Sequence, residues 1–389
     1  MRLFQLLVLF FFQISLAQST NPFAAVDTKM SKIPEDQTRS TADIANYINT
    51  NFTSESDKIR AAFYWTASSI SYDVENRNEP NFIYTPQEKI ASALKTRKGV
   101  CIHYAEVFSE IATKIGLKTH IIGGYTKQNG VVTPISHAWC ASKVDGKWQL
   151  FDPTWASGFV NGEKFTKKFN NAYYKTEPSK LIQSHMPFDY MWQLLSRPLT
   201  NREFFTGKLT EEKPITNYDY AAEIAKYEQL SDEEKAFDAA KRIEQNGVFN
   251  NFIAEYLAIK KNEFTILNQN KNIEKFNILV EEYNQAIVGL NDFIYYRNHQ
   301  FKPILPDEEI RLMIENPYNK LKKCQEDMYK INSVGKENYE SFSGLKKSII
   351  DATKQAEEHY NFVKEYLTKN KSSRKSMFTK TKIFGIPVR

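Results

Sequence analysis

The sequence predicts an α+β domain followed by an all-α helical bundle, and three observations carry that expectation. Up to about Thr206, helical periodicities alternate with short period-two runs bounded by turn residues. Beyond Glu211, Gly and Pro become sparse and apolar residues recur at helical spacing. At 389 residues the chain is long enough for two domains, and 41% apolar with 25% charged residues is ordinary for folded protein.

The segments follow in order. Arg2 precedes an apolar run from Leu3 to Phe12, broken only by Gln5, and Ser15-Leu16-Ala17 supplies a small-x-small pattern. That order reads as a secretory signal peptide over residues 1–17, too short to span a bilayer. The mature protein is therefore expected to be exported, periplasmic or extracellular, beginning at Gln18. Residues 18–40 read as a polar lead-in, and 41–206 as the α+β domain, with early helices around Ile44–Ile48 and Ile59–Ile70.

Residues 207–370 read as an antiparallel helical bundle. Helical runs such as Phe276, Val280, Tyr283, Ile287 and Leu290 are separated by breakers near Gly247, Pro303–Pro306 and Gly335. Residues 371–389 form a basic, flexible tail in which Lys371, Arg374, Lys375, Lys380, Lys382 and Arg389 occur without an acidic residue. The net charge of +6 is spread along the chain rather than gathered in a stripe, which argues against a nucleic-acid partner. No later stretch reaches transmembrane length, and no calcium loop or nucleotide motif points to a cofactor.

Three cysteines, Cys101, Cys140 and Cys324, leave at least one thiol free in an oxidising compartment or paired between chains. Cys101 opens a segment in which Tyr104, Phe108, Ile111 and Ile115 follow helical spacing and Gly116 ends the helix. A helix N-terminus stabilises a thiolate through its unpaired N–H groups and dipole. Further on, Ser136–Val144 and Lys147–Phe151 alternate around Asp145-Gly146, a strong two-residue hairpin signal. With those two at the turn, Val144 faces Lys147 and Trp139 faces Asp152. His137 shares the face of Trp139, so Asp152 becomes its diagonal neighbour, while Cys140 points to the opposite face. A thiol at a helix start with an imidazole and a carboxylate on a hairpin is the set that thiol-mediated acyl transfer needs.

The segments Gly99-Val100-Cys101-Ile102-His103-Tyr104-Ala105, Ser136-His137-Ala138-Trp139 and Phe151-Asp152-Pro153-Thr154-Trp155 resemble the three signature blocks of the transglutaminase-like superfamily. The likeness is to its bacterial branch and to kyphoscoliosis-peptidase-like proteins, over roughly residues 55–200, and the run His185–Leu195 shares it. The resemblance implies a papain-like core with Cys101, His137 and Asp152 as catalytic triad. It also implies an upstream oxyanion donor, which would be the indole of Trp65, beside the backbone N–H of Cys101. Two positions depart from the pattern: many relatives have Gly in place of His103 and Asn in place of Cys140.

These residues make the chain an expected cysteine acyl-transfer enzyme acting on amides through a thioester on Cys101. Water as acceptor makes it a peptidase or amidase, and an amine makes it a crosslinker. A protein, peptide or cell-wall-like amide is the expected substrate, with hydrolysis preferred. The alternative is an inactive binding or scaffold protein on the same fold. A zinc site of Cys101, His103, His137 and Cys140 has suitable residue types, but helix and strand geometry prevents the four from converging. Cys324 and the remaining histidines, His120, His185, His299 and His359, read as structural or surface residues, with His185 also a candidate to line the cleft.

Overall fold

The computed structural model describes residues 21–77, 84–210 and 217–379. The expected signal segment, 1–17, lies outside them, as do Lys380, Lys382 and Arg389 of the basic tail. The chain divides into two compact units, Met1–Leu230 with Asp238–Ala258, and Ser231–Phe237 with Ile259–Arg389.

The first unit opens with helices whose starts are written locally. After α1 (Ala24–Met30), α2 (Thr41–Asn51) and α3 (Glu55–Ser69) are each preceded by a serine whose hydroxyl accepts from the third residue on, Ser40 from Asp43 and Ser54 from Asp57. A short strand β1 (Ser71–Tyr72) follows, and α4 (Pro86–Thr96) begins with a Thr85–Glu88 capping box and Pro at its first turn. Strand β2 (Lys98–Gly99) pairs in parallel with β1 and delivers the chain to α5 (Cys101–Lys114), which Gly116 terminates at φ +90°.

Three strands then form an antiparallel meander, β3 (Thr119–Gln128), β4 (Val131–Val144) and β5 (Lys147–Phe151). The β4–β5 turn has Asp145 at φ 50° and Gly146 at φ 77°, and the ladder runs from Val144 opposite Lys147 to Cys140 opposite Phe151, the register expected from the turn. After α6 (Pro153–Ser157), a small hairpin β6 (Gly158–Asn161) and β7 (Lys164–Lys167) precedes α7 (Pro178–Leu181). Strand β8 (His185–Pro187) then joins the free edge of β3, giving the order β5-β4-β3-β8.

Strand alternation buries both faces of this sheet. Cys140, Val144 and Phe151 pack with Phe63 of α3 and Phe108 and Ile111 of α5. Ile122, Trp139, Ala141 and Leu150 pack on the other side with Trp192 and with Ile224 of a later helix. The unit is completed by α8 (Asn201–Thr206), α9 (Tyr220–Tyr227), part of α10 (Asp232–Gln245) and the start of α11 (Asn251–Asn298).

The second unit is helical, with the rest of α11, then α12 (Asp307–Met328), α13 (Tyr339–Thr368) and α14 (Lys371–Thr379). Leu290 and Phe293 of α11 meet Ile314 and Leu321 of α12 and Ala356 and Val363 of α13 in one core. The gaps between these helices fall at Pro303–Pro306 and Gly335, as the breakers predict. Among the described residues, no helix is long and apolar enough to cross a membrane.

Three segment boundaries differ from the sequence expectation. Part of the lead-in is core: Val26 and Met30 are buried, and Asp27 receives both Nε and Nη2 of buried Arg60 at 2.7 and 2.6 Å. The first unit continues past 206 because Arg242 of α10 makes a buried bidentate pair with Asp189, and Tyr256 of α11 stacks on Phe188 at 4.4 Å. Residues 371–379 of the tail are helical, and Arg374 donates to both oxygens of Asp307 at 2.5 and 2.6 Å.

Candidate active site

Cys101 is the first residue of α5, presented by the β2 segment, and its side chain is partly exposed. His103 turns back so that its Nδ1 accepts from the Val100 N–H at 3.3 Å, closing the helix start. Burial, aided by Lys89, holds His103 below its ordinary range, which suits it to accept that bond as a neutral ring. This fold-back requires Gly99, where a Cβ would lie 2.6 Å from the Cβ of His103. The unusual His103 is thus a local cap.

Asp152 follows β5 and is the N-cap of α6, with Pro153 as first helical residue. Its Oδ1 accepts the N–H groups of Thr154 and Trp155 at 2.8 and 3.0 Å, which fixes the carboxylate on the backbone. Its Oδ2 faces the sheet and lies 2.8 Å from Nε2 of His137 on β4. The Asp-Pro-Thr-Trp block is therefore a capping sequence whose second oxygen is free for the imidazole.

The His137 ring is buried, stacked on Trp139 at 6.0 Å and flanked by Trp155 at 5.8 Å. Burial alone would lower its pKa. The charge and hydrogen bond of Asp152, with a hydrogen bond and charge from Cys101, outweigh burial and push it up to about 10. With Nε2 engaged by Asp152, Nδ1 is the ring nitrogen left available to Cys101. Burial would raise Asp152, but the charge and bond of His137 and the bond of His185 hold it well below the ordinary carboxylate range.

His185, a candidate to line the cleft from its place in the His185–Leu195 run, is a second imidazole on Asp152, a role the sequence did not indicate. Its Nε2 lies 2.9 Å from the same Oδ2 of Asp152, and its Nδ1 lies 2.8 Å from the Ser184 hydroxyl. It is fully buried, against Trp155 at 4.4 Å.

Trp65 is a core aromatic, 2% exposed, with the Arg97 guanidinium over its ring at 5.0 Å. Cys140 faces the core, its Sγ directed to the Ala105 carbonyl at 3.6 Å, away from His137. The four-residue zinc set is therefore not brought together. His137, Asp152 and His185 have ligand atoms within 4.8 Å of one another. Both imidazole nitrogens lie at hydrogen-bond length from the one carboxylate oxygen, 2.8 and 2.9 Å.

A cleft of about 880 Å³ opens over His137, lined by Trp155, Tyr72, Tyr173 and Phe159 and by Arg77 and Lys168. Burial, together with the Cys101 charge, pushes Tyr72 up to about 12, so it stands as a neutral hydroxyl in this wall.

Residues 42–153 match the family model of the transglutaminase-like superfamily, a span that contains Cys101, His137 and Asp152. Kyphoscoliosis peptidase of Mus musculus is 35% identical over 159 residues, covering 39% of this chain and 24% of that protein. Its Homo sapiens counterpart is 33% identical over 156 residues, covering 38% and 23%. The chain thus spans about a quarter of the length of these curated relatives. A solved structure, "Crystal structure of a TGase", shares 18% identity at a TM-score of 0.28, covering 59% of this chain and 53% of that one.

Proposed function

We propose, from the match of residues 42–153 to the transglutaminase-like superfamily, that this chain is a cysteine-dependent enzyme of acyl transfer at amide bonds. The observation that supports the reading is the buried bond of Asp152 to Nε2 of His137 at 2.8 Å, on a ring whose protonation Cys101 also favours.

In this mechanism the Cys101 thiolate attacks the amide carbonyl while His137 carries the proton at Nδ1. The tetrahedral oxyanion is met by backbone N–H groups at the start of α5. His137 passes its proton to the departing amine, the C–N bond breaks, and a thioester remains on Cys101. Water, deprotonated by the now neutral imidazole, then releases the acid and restores the thiolate–imidazolium pair. We assign water as the acceptor and a peptide or cell-wall-like amide as the substrate. Export through the N-terminal segment belongs to the same proposal. The aromatic cleft over His137 supports a substrate that is held by stacking and apolar contact as well as by its amide.

Incubating the protein with a mixed peptide pool and a primary amine, followed by mass spectrometry, tests this. Hydrolysed amides that disappear with Cys101→Ala are expected. Incorporation of the amine would reassign the acceptor, and equal product with Cys101→Ala would refute the reading.

A further inference from the structure

The Asp152 carboxylate is fully buried and receives four donors: two backbone N–H groups on Oδ1 and two imidazoles on Oδ2. About four lone-pair positions is the whole acceptor capacity of a carboxylate. The fourth donor, His185, lies 33 residues away in sequence and is brought to the site by the β3–β8 ladder, in which it pairs with Thr126. Nothing in the mechanism above uses it.

We propose that His185 is a positioning residue: a neutral imidazole that donates to Asp152 beside His137, holding the carboxylate ionised and in one rotamer, so that the proton of the site stays on His137. This rests on the reading of Cys101, His137 and Asp152 as the reacting set.

A carboxylate can only accept, so Nε2 of His185 carries the hydrogen that Asp152 receives. The Ser184 hydroxyl lies 2.8 Å from Nδ1 and 3.4 Å from the Leu181 carbonyl, and we take the shorter contact as its donation to Nδ1, which leaves the ring neutral. Burial pulls His185 below its ordinary range, the bond and charge of Asp152 pull the other way, and the His137 charge adds to the lowering. Two imidazoles therefore share one carboxylate oxygen with only one of them charged. Asp152 and His137 are the charged groups that act on His185, and Tyr173, at 6.1 Å between rings, is the other ionisable neighbour.

A second protonated ring would split the carboxylate's attraction between two cations and weaken its hold on His137. An apolar residue at 185 would instead leave one direction of Oδ2 unsatisfied in a buried site. Asp152 would then protonate more readily or rotate, and His137 would lose its partner. Gln at 185 can place a side-chain N–H where Nε2 stands, but cannot carry charge.

The test compares alkylation of Cys101 by iodoacetamide against pH in wild type, His185→Gln and His185→Leu, with thermal melts of each. Expected are a rate within about threefold of wild type for His185→Gln and a loss of at least about tenfold near neutral pH for folded His185→Leu, its acid limb moved to higher pH. A folded His185→Leu with the wild-type profile would overturn the proposal, as would His185→Gln being as slow as His185→Leu. Should His185→Leu not fold, nitrogen NMR of labelled imidazoles in wild type decides, with the His185 signals assigned by their loss in His185→Gln. A neutral Nε2–H ring unchanged between about pH 5 and 8 supports the proposal, and a ring that is charged there overturns it. If instead wild-type Cys101 alkylates no faster than in His137→Ala, the underlying reading of the site fails, whatever His185 does.

Discussion

Asp152 holds His137 with one carboxylate oxygen and the start of the following helix with the other, at 2.8 Å to Nε2 of His137 and 2.8 and 3.0 Å to the N–H groups of Thr154 and Trp155. The base of the proposed reaction is thereby anchored to the backbone through a single side chain, with no rotatable element between imidazole and helix cap.

Asp152→Asn separates the two tasks. The amide oxygen can still cap α6, but the negative charge that raises His137 to about 10 is gone. The His137 titration should fall toward its ordinary range, and Cys101 reactivity should drop by about a hundredfold or more, as when an orienting carboxylate is lost elsewhere. Imidazole NMR with alkylation rates checks both, and an unchanged His137 titration would contradict the role given to Asp152.

The same pair makes stability depend on pH. The folded pKa of His137, about 10, lies above its ordinary 6.5, so its stabilisation is complete below about 6.5 and is lost as pH rises through about 10. Asp152 has the opposite sign: held below its ordinary 3.8, it contributes above that value and loses its contribution as pH falls. Denaturant melts of wild type and His137→Gln at about pH 6, 8 and 10 should show a gap that narrows with rising pH. A gap independent of pH would mean that His137 is not charged in the folded state.

Gly124 is required by the ring beneath His137. A Cβ there would stand 2.4 Å from the Trp139 indole and 2.3 Å from the Met186 carbonyl. Gly124→Ala should therefore cost about 1–3 kcal/mol and slow Cys101 alkylation, because Trp139 stacks on His137. Thermal melts and alkylation rates measure the two effects together.

Arg242 and Asp189 form a buried pair with side chains 9% and 8% exposed. Removing one partner leaves an uncompensated buried charge, so Arg242→Met should destabilise the first unit by about 3–5 kcal/mol. The double variant Arg242→Met with Asp189→Leu should recover part of that loss. Chemical denaturation of wild type, Arg242→Met, Asp189→Leu and the double variant gives the coupling, and additive losses would show that the pair does not interact.

Legibility in the sequence followed the range of the interaction. The helix from Cys101 and the hairpin at Asp145-Gly146 rest on contacts within a few residues, and the ladder from Val144–Lys147 to Cys140–Phe151 has the register the turn dictates. That register alone made Asp152 the diagonal neighbour of His137, and the hydrogen bond between them is that relationship realised. His185 reaches Asp152 only because β8 pairs with β3, and no periodicity announces such a pairing. Asp27 was read as part of a polar lead-in because its partner, Arg60, lies 33 residues on. The 206/207 boundary followed a change in composition, whereas the structure divides the chain later, after Arg242 and Tyr256 have joined the first unit. The burial of Trp65 could be read only from the packing around it.

The central claim is the pairing of Cys101 with His137, and alkylation by iodoacetamide near neutral pH, read at each cysteine by mass spectrometry, tests it without a substrate. Cys140 and Cys324 are buried, and burial pushes both thiols up, Cys324 to about 11, so both should react only on unfolding. In native wild type Cys101 should react first, and His137→Ala should slow it by at least about tenfold while leaving the other two unchanged. Equal rates at Cys101 with and without the imidazole would contradict the account and leave the fold as a scaffold for binding rather than for catalysis.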